Sequence, residues 1–485
     1  MIKYLFILLL PVLGFSQKQT FDQRLFNSYE TVKETTIDKR RIKHVDIQRL
    51  IDSLEGQKGF EITTLGKSIQ GRNISMISVG NGETQILLWS QMHGDEPTAT
   101  AAIFDMINYL KKDMSFLKDV KVHFIPMLNP DGAELFNRRN AIGIDINRDA
   151  LRLQSPESRL LKKVRDSIDA DFGFNLHDQS KYYNPKEKSK PATISFLAPA
   201  YNFEKDINQT RGDAMRVIAK MNSVLQRYIR GQVARYSDEF EPRAFGDNMQ
   251  KWGTSTILIE SGGQYDDPEK QFIRKLNFVS ILSAINDIAT NSYESATLEQ
   301  YLSIPKNDRK LFDLKIENLT FSYLGADYKV DIGINHYEIE NAAHSDFYFK
   351  GKVSDIGDLS SHFGYKIINA EGLEYKIGET YPKILNDFEE FMKLDFKTLL
   401  NQGYTSVSIN EMPKEIKFTE KPMNIIDVKK IIIPKNNAIP KSPFKLGTEA
   451  TFLLKKNGKV VYAIINGFVY HVSENKNHVI NGIVK

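Results

Sequence analysis

Four polar groups stand just past, or at the end of, short apolar runs in this chain. The run "QILLWS" (85–90) is followed by His93-Gly94-Asp95-Glu96, "FGFNL" (172–176) is followed by His177, and "STILIE" (255–260) ends in Glu260. Two imidazoles and one carboxylate are a recognised ligand set for catalytic Zn²⁺, with a fourth position left for water. A separate carboxylate near that water can take its proton and later pass it to a leaving group. Taken singly, each residue has an ordinary reading: an H-x-x-E pair on a surface, a hydrogen-bonded core histidine, a glutamate paired with a basic neighbour. What joins them is position, because open α/β sheets form their sites at the carboxyl ends of strands.

The elements that would place them there are legible as alternation. Runs at 74–80, 85–90, 122–128, 172–176, 194–199 and 255–260 are apolar almost throughout, as strands covered on both faces are. Helical patterns lie between them. In "PTATAAIFDMINYLKK" Pro97 fits the first helical position, and Ile103, Met106, Ile107 and Leu110 recur at helical spacing. In "SPESRLLKKVRDSI" Ser155 caps, Pro156 follows, and Leu160, Val164 and Ile168 form the stripe. Two further helices fit 203–229 and 268–289. The pattern predicts an α/β domain over residues 55–295, with a mixed, largely parallel sheet flanked by helices. Residues 296–310 read as a polar linker. From 311 to 485 the chain alternates like strands, with Asn457-Gly458 as a hairpin turn, and is predicted to be β-rich. Five prolines between residues 411 and 444 suggest that this region has two parts.

Composition narrows the function classes. At 485 residues, 41% hydrophobic and 26% charged, the chain is long enough for more than one folded domain. Its 65 basic and 61 acidic side chains leave a net charge of +4 with no basic block, which argues against a nucleic-acid surface. The absence of cysteine excludes disulfides, thiolate ligands and a cysteine nucleophile. Residues 1–16, with Lys3, an apolar run over 4–13 and Gly14-Phe15-Ser16, read as a secretory signal. The run is too short to span a bilayer, so no integral membrane anchor is expected, and a periplasmic or extracellular location is. Residues 17–54 read as a helical approach segment, with a short helix over 42–54.

Between the candidate ligands lies "LNPDGAELFNRRNAIGIDINRDA" (128–150), and here the chain resembles the M14 zinc carboxypeptidases. The family's ordered features appear as His93-Gly94-Asp95-Glu96, Asn129-Pro130-Asp131-Gly132, Arg138-Arg139-Asn140, Asp145-Ile146-Asn147-Arg148, His177 and Glu260. Upstream, "GKSIQGRNI" is similar to the family's S-x-x-G-R segment. The resemblance implies one Zn²⁺ per chain, held by His93, Glu96 and His177, with Glu260 as general base and then acid. It implies that Arg138, preferred over Arg139 on R-x-N spacing, steadies the oxyanion, since a fixed cation there acts only as charge develops. It also implies that Asn147 and Arg148 hold the substrate's terminal carboxylate, which a planar guanidinium can grip bidentately. Arg72 would lie near the substrate cleft.

The expected activity is therefore hydrolysis of the C-terminal bond of a peptide with a free carboxylate, by an exported enzyme. The nearest alternative is a zinc amide hydrolase of the aspartoacylase or succinylglutamate desuccinylase type. A non-catalytic binding protein on the same fold is the other. No tyrosine stands at the family's substrate-capping position; Tyr236 is nearest but off the usual spacing. The stretch that would floor the side-chain pocket holds both Phe245 and Asp247, so side-chain preference stays open, as do oligomeric state and the role of the C-terminal region. Asp178 either orients a ligand or faces solvent, Asp95 reads as a surface residue, and His123 reads as structural.

Overall fold

The computed structural model describes residues 19–412, 418–419, 421–428, 444–474, 476–477 and 481–482. The expected signal over 1–16 lies outside them, as does most of the proline-rich stretch between 411 and 444. The chain opens with helices α1 (Phe21–Ser28) and α2 (His44–Asp52), then β1 (Phe60–Lys67), β2 (Asn73–Gly80), β3 (Thr84–Trp89), α3 (Thr98–Leu110) and β4 (Val120–Ile125). There follow α4 (Pro130–Glu134), α5 (Pro156–Ile168), β5 (Phe172–Asp178), β6 (Asn184–Pro185), β7 (Ile194–Leu197), α6 (Gln209–Leu225), β8 (Val233–Arg235), α7 (Phe245–Lys251), β9 (Ser255–Ser261) and α8 (Gln271–Ala289).

Eight of these strands make one sheet in the order β1-β2-β4-β3-β5-β9-β7-β8. The pairs β4–β3, β3–β5, β5–β9 and β7–β8 are parallel, while β1–β2, β2–β4 and β9–β7 are antiparallel. The predicted mixed, largely parallel sheet is thus the one observed. Successive side chains of β3 point to opposite faces, as the pleat requires. Ile86 and Leu88 enter a core with α3, α6 and α8, whereas Leu87 and Trp89 enter a second core with α5 and α7. Being covered on both faces, β3 reads as an unbroken apolar run.

The helices begin where capping chemistry allows. The Ser155 side chain accepts from Ser158 N at the start of α5, and Asn208 accepts from Arg211 N at the start of α6. That cap corrects the sequence expectation of a helix from 203: Phe203 is exposed, and the helix starts only where its first donors are satisfied. Likewise α8 starts at Gln271 rather than 268, because the Asp267 carboxylate takes the N–H groups of Gln271, Phe272 and Ile273.

Residues 296–310 are not a free linker. They hold α9 (Leu298–Leu302), closed by a Thr297–Gln300 capping box, and β10 (Asn307–Asp308), which pairs with β6. Tyr301 is buried, and its hydroxyl accepts from Ala198 N. A polar average concealed one anchoring aromatic. Residues 19–54 are also more than an approach. The Arg274 guanidinium, buried in α8, reaches Asp105 of α3 and the carbonyls of Glu34 and Ile37, which ties this segment to the core.

Beyond residue 310 lies a β-rich region, as predicted. Long strands β11 (Leu311–Tyr323), β12 (Ala326–Glu340) and β13 (Phe347–Gly357) pair antiparallel in order. β14 (Phe363–Asn369) lies parallel to β11. The strands Phe452–Lys456 and Lys459–Ile465 join through Asn457 and Gly458, both at positive φ, as the hairpin expectation requires. This region also holds something its alternation did not show: helices Phe388–Met392 and Phe396–Gln402 packed beside a small parallel sheet of Glu379–Leu385, Tyr404–Ile409 and Asn424–Asp427. Among the described residues, no helix is long and apolar enough to cross a membrane.

Candidate metal centre and active site

His93, Glu96, His177 and Glu260 come together at the carboxyl ends of β3, β5 and β9. β5 and β9 run parallel with His177 in register with Glu260, so these two side chains leave the sheet at the same level. The turn carrying His93 and Glu96 follows β3 on the other side of β5. Its glycine is dictated by packing: a Cβ on Gly94 would lie 2.1 Å from the backbone of Gly132. The H-x-x-E turn and the N-P-D-G turn therefore press backbone to backbone.

The donor atoms converge. His93 Nδ1 lies 2.9 Å from Glu96 Oε1, His177 Nδ1 lies 2.7 Å from Glu96 Oε2, and the two Nδ1 atoms are 3.2 Å apart. All three residues are buried. The far side of the His93 ring, Nε2, meets Asp145 Oδ1 at 3.1 Å. That carboxylate holds the Nε2–H tautomer and leaves the Nδ1 lone pair facing the cluster, an arrangement common behind metal-bound histidines. Arg138 Nη1, donating to His93 Nδ1 at 3.1 Å, agrees with this tautomer. Two imidazole nitrogens and two carboxylate oxygens facing one point are a donor set that suits Zn²⁺.

The electrostatics follow. Burial opposes protonation of His93, but Glu96 and Asp145 outweigh it and hold its pKa up to about 9. His177 is pushed down by burial. Burial also opposes the charge on Glu96, but the two imidazoles hold its carboxyl well below the usual range. Glu260 goes the other way: burial and then the neighbouring Glu96 raise it well above an ordinary glutamate, and its Oε2 is buried with no partner among the described residues. A carboxyl kept apart from the ion pairs and high in proton affinity has the properties a shuttle of protons needs.

The other candidates separate cleanly. Arg138 reaches the cluster: Nη1 lies 3.2 Å from Glu96 Oε1 and Nε donates to Asp145 Oδ2 at 3.1 Å. Arg139 turns away to the Gly143 carbonyl. Asn147 Oδ1 accepts from Phe245 N at the start of α7, and Arg148 Nε stands 3.4 Å from Glu241 Oε2. Arg72 donates to Asp131 Oδ1 at 2.7 Å, and Ser68 Oγ and Gln70 N bind the same carboxylate. The S-x-x-G-R and N-P-D-G segments are thus bound to each other, with Arg72 bracing the turn.

Asp178 orients rather than faces solvent. Its backbone N donates to Glu96 Oε2, and its carboxylate takes Thr98 Oγ1 at 2.6 Å and Lys270 Nζ at 3.1 Å. Asp95 is no surface residue either: its Oδ1 is buried, and burial followed by Glu96 raises its pKa to about 6. Tyr236, the tyrosine nearest the family's capping position, is partly buried. Its backbone N donates to Phe196 O just past β8, its ring lies 5.5 Å from that of Tyr183, and burial and the Glu260 carboxylate push its phenol up.

The model of the zinc carboxypeptidase family matches residues 47–217. Carboxypeptidase SOL1 of Arabidopsis thaliana is 27% identical over 176 residues, covering 29% of this chain and 35% of that one. Carboxypeptidase E of Caenorhabditis elegans is 32% identical over 125 residues, covering 20% and 26%. Among solved structures, a metallo-carboxypeptidase from Burkholderia cenocepacia superposes with a TM-score of 0.42 at 15% identity, covering 51% of this chain and 69% of that one. The chain thus spans between a quarter and just over a third of these curated relatives. Over the matched residues, which also carry most of the ordered motifs, the chain is similar to the zinc carboxypeptidases.

Proposed function

We propose that the chain is an exported zinc-dependent carboxypeptidase that removes the C-terminal residue of peptides with a free carboxylate. One observation carries the reading: His93, Glu96 and His177 converge, and beside them Glu260 offers a buried carboxyl oxygen with no partner among the described residues. Export rests on the sequence of residues 1–16 alone.

Zn²⁺ fits the donor set of His93, Glu96 and His177; when bound there, it would polarise the scissile carbonyl and acidify an attacking water. Glu260 takes the proton from that water and returns it to the leaving nitrogen; its raised proton affinity suits it to both roles. Arg138, with Nη1 at the cluster and Nε anchored by Asp145, presents a fixed cation where negative charge grows on the carbonyl oxygen. Arg148 and Asn147 receive the terminal carboxylate. Arg148 meets it already near a carboxylate, that of Glu241, which Arg243 also binds. Tyr236, whose phenol is pushed up by burial and then by the Glu260 carboxylate, is assigned to cover bound substrate from that side.

The test is a digest of purified protein, with and without added zinc, on three substrate sets: peptides with free C-termini, the same peptides amidated, and N-acyl amino acids. Release of single residues from the free peptides only is expected. Turnover confined to the N-acyl amino acids would replace this reading with the amide hydrolase one.

A further inference from the structure

Where the α/β domain meets the β-rich region, the two enclose a cavity of about 590 Å³. It begins at the ends of the strands carrying His177 and Glu260: Gln179 and Lys181 follow the first, and Gly262 and Gln264 follow the second. The facing wall comes from the long sheet, through Asp313, Phe349, Tyr365, Lys366 and Phe468.

The two cores set its direction from the metal cluster. Ile146, beside Asn147 and Arg148, packs with Phe245 and Met249 on one face of the catalytic sheet. α8 packs on the opposite face, and Lys270 at its start lines the cavity. The cavity thus reaches the side of the strand ends opposite the Asn147–Arg148 segment, the side toward which the upstream part of a peptide held at Arg148 would extend.

The junction is built closely. The Tyr365 hydroxyl donates to the Lys181 carbonyl at 2.6 Å, and a Cβ on Gly263 would lie 2.1 Å from the Tyr365 oxygen. Tyr265 and Tyr365 meet edge to face at 5.3 Å, and His336 stacks on Phe468 at 4.0 Å. Most charges here are already matched. Asp313 accepts from Lys181, Tyr182 and His336 N; Arg40 pairs with Glu338; Lys270 pairs with Asp178; Asp267 caps α8. Asp266 is exposed to solvent. Lys366 differs: it is partly buried, and its ammonium has no partner among the described residues, so burial alone acts on it and lowers its proton affinity. A cation desolvated without a counter-ion gains most from a carboxylate brought to it.

We propose that this cavity binds the part of the substrate upstream of the scissile bond, taking an acidic side chain at Lys366 and apolar surface against Tyr365 and Phe349. The β-rich region then selects substrates for the α/β domain. This rests on the carboxypeptidase reading above. The experiment measures kcat/KM of the full zinc-loaded chain on peptides that share their last two residues and carry Glu, Gln or Lys at one position three to five residues from the end. At the best position Glu is expected to exceed Lys by about tenfold, the scale of one charge-assisted hydrogen bond. Lys366→Gln should level that ratio and Lys366→Glu invert it. Hydrolysis of all three peptides at equal rates at every position by the unaltered chain overturns the proposal and leaves the carboxypeptidase reading standing. No hydrolysis of any peptide overturns both.

Discussion

His93, in the turn after one strand, and His123, within that strand's parallel neighbour, are both buried, in opposite chemical surroundings. His93, past the end of β3, lies between the carboxylates of Glu96 and Asp145 and is held up to about 9. His123, within β4, lies between Ser78 Oγ at 2.7 Å and Gln85 Oε1 at 2.9 Å, and burial followed by Lys121 pushes it down to about 4. Burial disfavours the charged form at both sites; the neighbours decide the outcome. Carboxylates supply a negative field that a proton or a metal ion can satisfy, whereas a hydroxyl and an amide supply only hydrogen bonds. One histidine is thereby suited to hold a metal ion, and the other is a neutral strut.

The contrast breaks most visibly at the chemical pole. Glu260→Gln keeps the shape and the cluster but removes the proton acceptor. The expected result is a fall in kcat of about 10²- to 10⁴-fold with zinc content unchanged; normal turnover would remove Glu260 from the mechanism. The strut should show itself in acid. His123 titrates near 4 when folded and near 6.5 when unfolded, so below 6.5 the unfolded chain takes up the proton more readily. Its neutral state stabilises the fold in full above 6.5, and that contribution, on the order of 3 kcal/mol, is lost as pH falls toward 4. His123→Gln should therefore melt with a shallower dependence on pH over that window; equal slopes for both proteins would contradict the assignment. The smallest effect sharpens the ligand side. Asp145→Asn leaves His93 a hydrogen-bond partner without charge, and zinc affinity measured by chelator competition should fall about 10- to 100-fold.

The eight-stranded sheet was readable because its central strands are apolar on both faces and its helices carry periodic stripes; both signals are local. The residues of the cluster were readable for a related reason, since a polar group directly after a buried strand must emerge at the sheet's edge. Reading failed where a residue's partner lies far along the chain. The pairing of Arg72 with Asp131 could not be read from spacing, and Asp95 reads as a surface residue until its turn is pressed against Gly132. The segment 296–310 failed for the same reason, because a polar composition says nothing about a single buried Tyr301.

The amino-acid sequence by itself determined the α/β class, the strand ends at which polar groups emerge, and the donor set of two histidines and one glutamate. These follow from side-chain type and short-range periodicity. The tertiary structure decided which nitrogen of His93 faces the cluster, why the proton affinity of Glu260 is raised, and that the β-rich region lines a cavity beside the site. Each of those depends on burial and on charges brought together from distant parts of the chain, which no stretch of sequence contains.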